Sequence, residues 1–437
     1  MNYNNKNTMD MNFQDKKLLI LGANPETIPL VEVANKMGIK TIVTSFRSTD
    51  PAKKYAWKSA EVDGMDVPGL IALAQQEKVD GVLVGVADML VPSYCKVCDA
   101  LNLPCYATQQ IADVFAYKDV FKATCEIYGI HGIPDYYLDE KLDPSDVKKI
   151  KFPVMVKPVD SSSGMGMTVC YRADELKAAV DKALSFSAKK RFIVERYMQC
   201  DDMGIYYTFK DGVCSASCVY DRYTSDEQQG LSRVCLGGTY PSKHIAEYFE
   251  RMHPNALRLF NGIGIKNGVL MLSAFYENGE FYVYDTGFRL QGEAPHYIIK
   301  HIQGFDQREM LIRFALTGSE GDMDLIKSDD PYLRGKWAAT VWYLLKKGKI
   351  AKIKGVDDIE KDNHVILFAK RFSENDEVRE DWVGTEKQVF ARLYLCADSK
   401  EELAALIADY QKKVEVLNIS GENMLLHGFN VNNFIGA

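Results

Sequence analysis

Mid-chain, the run Phe152-Pro153-Val154-Met155-Val156-Lys157-Pro158-Val159-Asp160-Ser161-Ser162-Ser163-Gly164-Met165-Gly166-Met167 dictates two strands around a small, hydroxyl-rich loop. Its first half is apolar and β-prone and ends in a lysine. Its second half is punctuated by glycine, after which the apolar pattern resumes as Thr168-Val169-Cys170-Tyr171. The expected order is strand, tight loop, strand. Such a loop has the means to wrap an anion, because glycines let backbone N–H groups approach closely, hydroxyls add donors and the lysine brings a charge. It is not a Walker loop, since no Gly-Lys-Ser/Thr ends it and no helix follows directly. A surface hairpin with a flexible tip fits the same residues, and the rest of the chain decides between the two.

At 437 residues the chain is too long for one ordinary core, so two or three domains are expected. A formal net charge of −7 argues against a nucleic-acid binder, which would show a basic face. No run of about 18 uncharged apolar residues occurs, so no membrane span is expected. Residues 1–15 are polar and Asn-rich without the apolar centre of a signal peptide, which predicts a disordered lead-in and a cytoplasmic protein. The 10 cysteines do not make a disulfide scaffold. Cys95 and Cys98 form C-x-x-C on an amphipathic helical pattern, with no second pair at zinc spacing, and are expected to be buried, reduced thiols.

From Lys16 onward strand and helix alternate. Lys17-Leu18-Leu19-Ile20-Leu21-Gly22, Lys40-Thr41-Ile42-Val43-Thr44 and Gly81-Val82-Leu83-Val84-Gly85 read as strands, with helical periodicity over 26–37 and 67–77. This alternation implies a parallel sheet with helices on its faces, ending near Gln110. The first turn, Gly22-Ala23-Asn24-Pro25-Glu26, lacks G-x-G-x-x-G spacing, so a nicotinamide cofactor is disfavoured. One helix is expected over 111–128, with Lys118 inside it, then Gly129-Ile130-His131-Gly132-Ile133-Pro134. Another spans 174–186, with Leu176, Ala179, Val180, Ala183 and Leu184 on its buried face. Arg191-Phe192-Ile193-Val194-Glu195-Arg196-Tyr197 reads as a strand carrying an acid. A hairpin turning at Asp211-Gly212, a loop over 221–239, a helix over 242–261 and a hairpin turning at Asn278-Gly279 follow. A strand-rich block over 351–396 leads to a closing helix opened by the capping box Ser399-x-x-Glu402.

In order, these features are a lysine helix ending in Gly-Ile-x-x-Ile-Pro, then Phe-Pro-Val-Met-Val-Lys-Pro and the Ser/Gly loop. Phe-Ile-Val-Glu-Arg-Tyr follows, and finally Tyr-Val-Tyr-Asp-Thr-Gly-Phe-Arg-Leu-Gln-Gly. The set resembles the ATP-grasp superfamily, in its carbamoyl-phosphate-synthetase-like and L-amino-acid-ligase-like branch, over roughly residues 18–318. The resemblance implies an α/β and α+β architecture. After the lead-in 1–15 come a Rossmann-like domain over 16–110 and an ATP-grasp domain over 111–318 with a lid at about 132–211. That domain clasps ATP between two antiparallel sheets, and a C-terminal α+β part covers 319–437. The implied chemistry is ATP-dependent activation of a small carboxylate, possible amino acids included, as an acyl phosphate that an amine attacks. Small-molecule substrates, no nucleic acid, no membrane and a homodimer fit the same resemblance.

The resemblance also carries roles for individual residues. Lys157 would bridge the α- and β-phosphates as a point charge, and Lys118 would reach the phosphates from its helix. Ser161, Ser162, Ser163, Gly164 and Gly166 would close over the β- and γ-phosphates. Glu195 stands where the family meets the adenine amino group, with the backbone of Arg196, Tyr197 and Met198 alongside, and Asp202 stands where a carboxylate holds the ribose. Arg289 would neutralise the transferring phosphoryl group. His296 fits either a substrate contact or a structural role. Read singly, Lys157 is better taken as a solvated strand-end lysine and Arg289 as a surface ion pair, and only the ordered set of motifs favours the functional reading.

ATP-grasp enzymes hold magnesium with a Glu or Gln from one strand and Glu-x-Asn from the next. Here the second strand offers Asp285-Thr286-Gly287, so the asparagine position has no side-chain ligand. A two-residue turn at Asn278-Gly279 puts Leu272 opposite Asp285, and a one-residue bulge puts Ser273 there. Asp285 is then the expected principal magnesium ligand. A catalytically degenerate ATP-binding protein, acting as sensor or partner subunit, is the alternative to a ligase.

Overall fold

Continuous apolar runs bury strands on both faces, and the N-terminal strands are of that kind. In the computed structural model, which describes residues 13–160, 165–225 and 234–436, Leu18 to Leu21 are wholly buried, as are Ile42, Val43 and Val82. Lys58–Ala60, Lys40–Thr44, Lys17–Leu21 and Gly81–Val84 form a four-stranded parallel sheet in that order. The first was not expected, because it is a short edge strand with no apolar pattern. Order begins earlier than the lead-in predicted. Phe13 is buried, and the Asp15 N–H donates to the Gly38 carbonyl over 3.1 Å.

The chain forms two compact units, and the first is not contiguous. It comprises Met1–Ala112 together with Phe288–Ala294 and Gln307–Met323, so the expected single break near Gln110 is corrected. The physical reason is cover. The helix Gln307–Thr317 lays Met310, Leu311, Ile312, Phe314 and Ala315 into the core of this unit. It comes so near Gly81 that a Cβ there would stand 2.4 Å from the Ala315 carbonyl oxygen.

Among the described residues the second unit holds three sheets, one of them a small one of Glu377–Val378, Gly348–Lys354 and Glu415–Asn418, and the other two carry the residues of interest. The larger runs Glu280–Gly287, Gly268–Glu277, Asp201–Lys210, Val213–Thr224, Cys235–Tyr240, Trp337–Leu344, Val389–Ala397, Val365–Lys370, and every pairing is antiparallel. Its last three strands come from the stretch expected to be a separate C-terminal part, which therefore extends this sheet. The smaller runs Asp135–Tyr136, Phe192–Arg196, Val154–Pro158, Thr168–Cys170. Leu176, Ala179, Val180 and Ala183 of the helix Leu176–Phe186 pack on it, against Val154, Val156, Cys170 and Val194. This sheet holds residues expected to form the lid, and Phe192–Arg196 is its last strand in chain order. The expected lid boundary at 211 is corrected, because Asp201–Lys210 is a central strand of the larger sheet, buried on both faces from Met203 to Phe209.

Three further expectations change. The helix over 111–128 is two helices, Gln109–Ala116 and Lys118–Ile127, broken where Tyr117 is extended at φ −119°, ψ 118°. Lys118 therefore opens a helix. The helix over 242–261 contains a π-turn, Tyr248–Met252, before His253–Ile263. Pro254 explains it, since its ring crowds the preceding turn and it has no N–H to donate. Among the described residues, the ends of the loop expected over 221–239 are strand, continuing to Thr224 and resuming at Cys235. The closing helix Lys400–Lys413 is capped as read, with the Glu402 N–H donating to Ser399 Oγ over 3.1 Å.

A short helix, Leu325–Ser328, is clamped to the larger sheet by polar contacts. Asp329 accepts from Ser217 Oγ at 2.5 Å, and Gln303 links the Ser217 carbonyl to the Asp330 N–H. Burial raises the Asp329 pKa from 3.8 to about 6. The unfolded chain releases this proton near the ordinary value and the native protein holds it longer, so stability falls as pH rises from about 4 to about 6. The cost at neutral pH is on the order of 3 kcal/mol. Urea midpoints measured across that window should show the fall in the parent protein and lose most of it in Asp329→Asn.

Candidate functional site

The turn Asn278-Gly279 takes φ of 52° and 87°, both positive as a tight two-residue hairpin requires. From it the pairing runs regularly to Ala274 opposite Val283, then shifts, so that Tyr284 is an extra residue and Ser273 faces Asp285. Of the two registers left open by the sequence, the bulged one forms. Gly204 pairs with Ser273, and Asp202, two residues earlier, shares its face and pairs with Arg222. One face of the larger sheet thus carries Ser273, Asp285, Asp202 and Arg222.

The start of the helix Lys118–Ile127 is tied to the lid by the Lys118 N–H, which donates to the Val159 carbonyl over 3.3 Å. Lys118 Nζ then stands 2.6 Å from Asp285 Oδ1. One turn on, Lys122 Nζ lies 3.6 Å from Glu195 Oε1 and 2.7 Å from Asp135. Lys157 Nζ meets the other oxygen of Glu195 at 2.5 Å, with both side chains almost wholly buried. Glu195 therefore takes two ammonium groups in a site closed to water. Lys122 was not singled out in the sequence, although its i, i+4 spacing from Lys118 was the available signal.

Both oxygens of Asp202 are held, one by the Tyr284 hydroxyl at 2.8 Å and the other by Arg222 at 3.0 Å, and Arg222 donates to the same hydroxyl at 2.6 Å. Burial raises the Tyr284 pKa, which keeps the phenol a donor. Arg222 and Tyr284 were missed, the first because it was read as loop and the second because only the bulge turns it to this face. Asp202 and Arg222 also line a polar cavity of about 490 Å³ with Asp201, Asp221 and Lys243. Arg196 pairs with Glu277, its N–H donates to the Pro134 carbonyl at 2.8 Å, and the Tyr197 N–H donates to that of Pro153 at 3.1 Å. Met198 is buried.

The D-ala D-ala ligase C-terminus family matches residues 137–222. The carbamoyl phosphate synthase large chain of Clostridium beijerinckii is 22% identical over 311 residues, 64% of this chain and 27% of that one. Phosphoribosylamine–glycine ligase of Xylella fastidiosa is 28% identical over 258 residues, 55% of this chain and 58% of that one. The matched region is thus less than two thirds of either relative's length. The crystal structure of an L-amino acid ligase from Bacillus licheniformis aligns with a TM-score of 0.74 at 16% identity, covering 93% of this chain and 99% of that one. The chain has the ATP-grasp fold.

In this ATP-grasp chain the second unit brings together Lys118, Lys157, Glu195 and Asp285 of the residues singled out from the sequence. Ser161, Ser162, Ser163 and Gly164 lie outside the described residues. Gly166, beyond them, has φ 77° and leaves no room for a Cβ beside Phe186 and Pro158. Arg289 belongs to the first unit, where it is buried and pairs with Asp88 at 2.5 Å. His296 is buried at the start of the helix His296–Gln303.

For magnesium the donors are sparse. Asp285 is one hard carboxylate, the Ser273 hydroxyl opposite donates to Met271 Sδ at 3.2 Å, and Gly287 offers no side chain. Among the described residues no group of three or more His, Cys, Asp or Glu side chains is arranged for a metal ion. These residues do not fit an ion caged by protein alone. They fit one held chiefly by phosphates and water, with Asp285 as its single protein carboxylate.

Removing one partner of a buried pair strands the other charge. Glu195→Gln should therefore destabilise the protein by about 3–5 kcal/mol, seen as a lower urea midpoint at unchanged slope.

Proposed function

We propose that this chain is an ATP-dependent carboxylate–amine ligase that makes a C–N bond with ADP and phosphate as products. The observation that carries the reading is the Lys118–Asp285 pair, set beside the lid strand that bears Lys157. Its side chains are partly open, 23% and 42% exposed, so an entering triphosphate competes with Asp285 for the ammonium and frees the carboxylate. Lys157 then acts on the phosphates as a point charge, and the Ser161–Gly166 loop supplies donors over them. Glu195 and the backbone from Arg196 to Met198 border the adenine, and Asp202, with Arg222, the ribose. Magnesium bound with the nucleotide would offset phosphate charge, with Asp285 its protein ligand.

The substrate carboxylate attacks the γ-phosphorus, forming an acyl phosphate and releasing ADP. Arg289 offsets the charge on the transferring group. The amine then attacks the acyl carbon, and phosphate leaves. The relatives' names support a ligase acting on small molecules, and an amino acid is the proposed class of carboxylate.

A second reading is favoured by the thin metal site: a nucleotide-binding protein without turnover, acting as sensor or partner subunit. Phosphate release, screened over carboxylate and amine pairs at raised magnesium, separates the two. The ligase reading expects release with at least one pair, and none with any pair makes the binder the better account.

Two substitutions extend the test. Lys157→Ala should weaken ATP binding at least severalfold by calorimetry, because it removes a charge–phosphate contact. Asp285→Asn should abolish turnover while nucleotide binding largely persists. Normal turnover in that variant would mean that the metal rests elsewhere.

A further inference from the structure

The short helix Asn432–Ile435 is pinned from both sides. Before it, Phe429 is buried against the Tyr223 ring with centroids 4.3 Å apart, and Gln411 Nε2 donates to the Phe429 carbonyl at 2.9 Å. Within it, Phe434 is buried edge-on to Trp337 at 5.8 Å. Asn430 closes the turn between them, its side-chain oxygen taking the Asn432 N–H at 3.1 Å and its carbonyl the Asn433 N–H at 3.0 Å. Tyr223 is fixed in turn to the larger sheet, its hydroxyl 3.2 Å from Thr239 Oγ1, and it stands next to Arg222 on the same strand. These anchors bring Asn432 and Asn433 to the wall of the 490 Å³ cavity that Asp202 and Arg222 also line. Neither side-chain amide is bonded to a protein group among the described residues.

The charges of this cavity are already matched. Asp202 is held by Arg222 and the Tyr284 hydroxyl. Asp201 Oδ2 lies 3.0 Å from Lys243 Nζ and 2.8 Å from His244 Nε2. Asp221 accepts from Ser242 Oγ at 2.5 Å and from the Lys243 N–H at 3.0 Å. Among the described residues, the cations that line the cavity are thus committed to acids, which leaves little to attract a phosphate or a carboxylate. What is left for a ligand is neutral: two amides, each with a carbonyl acceptor and an NH2 donor. That mixture suits oxygens that both donate and accept, which are sugar hydroxyls.

We propose that Asn432 and Asn433 read the ribose hydroxyls of the bound nucleotide and make this chain discriminate ribonucleotides from deoxyribonucleotides. The inference rests on the proposed place of Asp202 at the ribose, and adds a second wall from a distant segment of the chain. Asp202 accepts a hydroxyl proton. An amide donates to that same oxygen or accepts from the neighbouring hydroxyl. A deoxy sugar leaves one of these groups without its partner, and the lost bond is the discrimination. Phe429 and Phe434 set the position of the amides and do not touch the sugar.

The test uses the full chain and calorimetry with ATP, 2′-deoxyATP and 3′-deoxyATP, each with magnesium. The parent should bind ATP at least about fivefold more tightly than one or both deoxy analogues, and the double variant Asn432→Ala/Asn433→Ala should bring that ratio to within about twofold by weakening ATP. The two single variants divide the effect between the amides. Ile435→Ala, on the same helix but outside the cavity lining, should keep the parent's ratio, which separates loss of the amides from loosening of the helix. Thermal melting of each variant checks that it is folded. Equal affinity of the parent for ATP and both analogues, an unchanged ratio in the double variant, or an equal loss in Ile435→Ala would overturn the assignment. Those results, with ATP still bound, remove this inference alone. No ATP binding by the parent removes the nucleotide reading and this inference with it.

Discussion

A single extra residue, Tyr284, decides what the larger sheet presents. Side chains alternate along a strand, so a one-residue shift in pairing exchanges the two faces. With the bulge, Asp285 stands opposite Ser273 and within reach of Lys118, and the Tyr284 hydroxyl reaches Asp202. Without it, Leu272 would face Asp285. The acid that anchors Lys118 and the phenol that anchors Asp202 thus owe their common face to one irregularity.

The second constraint is the cost of burying charge. Glu195, Lys157 and Lys122 are tolerable in a dry site only as a set, because each carboxylate oxygen has its own ammonium. The set also joins elements far apart in sequence. Lys157 and Glu195 lie on neighbouring strands of the smaller sheet, and Lys122 reaches them from the helix that begins at Lys118. The pairing therefore fixes the position of all three side chains.

The Lys118–Asp285 pair differs in kind, since it is partly open to solvent. A pair of that sort gains little in water and exchanges partners readily. Ammonium and carboxylate here are held for each other in the absence of a stronger partner. This fits a site in which phosphate takes the lysine and a cation takes the acid.

Much was legible in the residues. The apolar runs at Leu18 and Val82 identified buried parallel strands, and Asn278-Gly279 marked a hairpin. Ser399 with Glu402 marked a helix start, and the order of motifs from Lys118 to Arg289 identified the ATP-grasp fold. These are local periods and caps, carried by side-chain spacing alone. What only the tertiary structure decided is what distant segments do to one another. The helix Gln307–Thr317 returned to cover the first sheet, Tyr117 broke a continuous apolar pattern, and Asp201–Lys210 joined the larger sheet and not the lid. Arg222 and Tyr284 entered the site through contacts that no spacing encodes. The reason is that periodicity records which face of an element is apolar, whereas burial, register and charge pairing depend on which other segment finally covers that face.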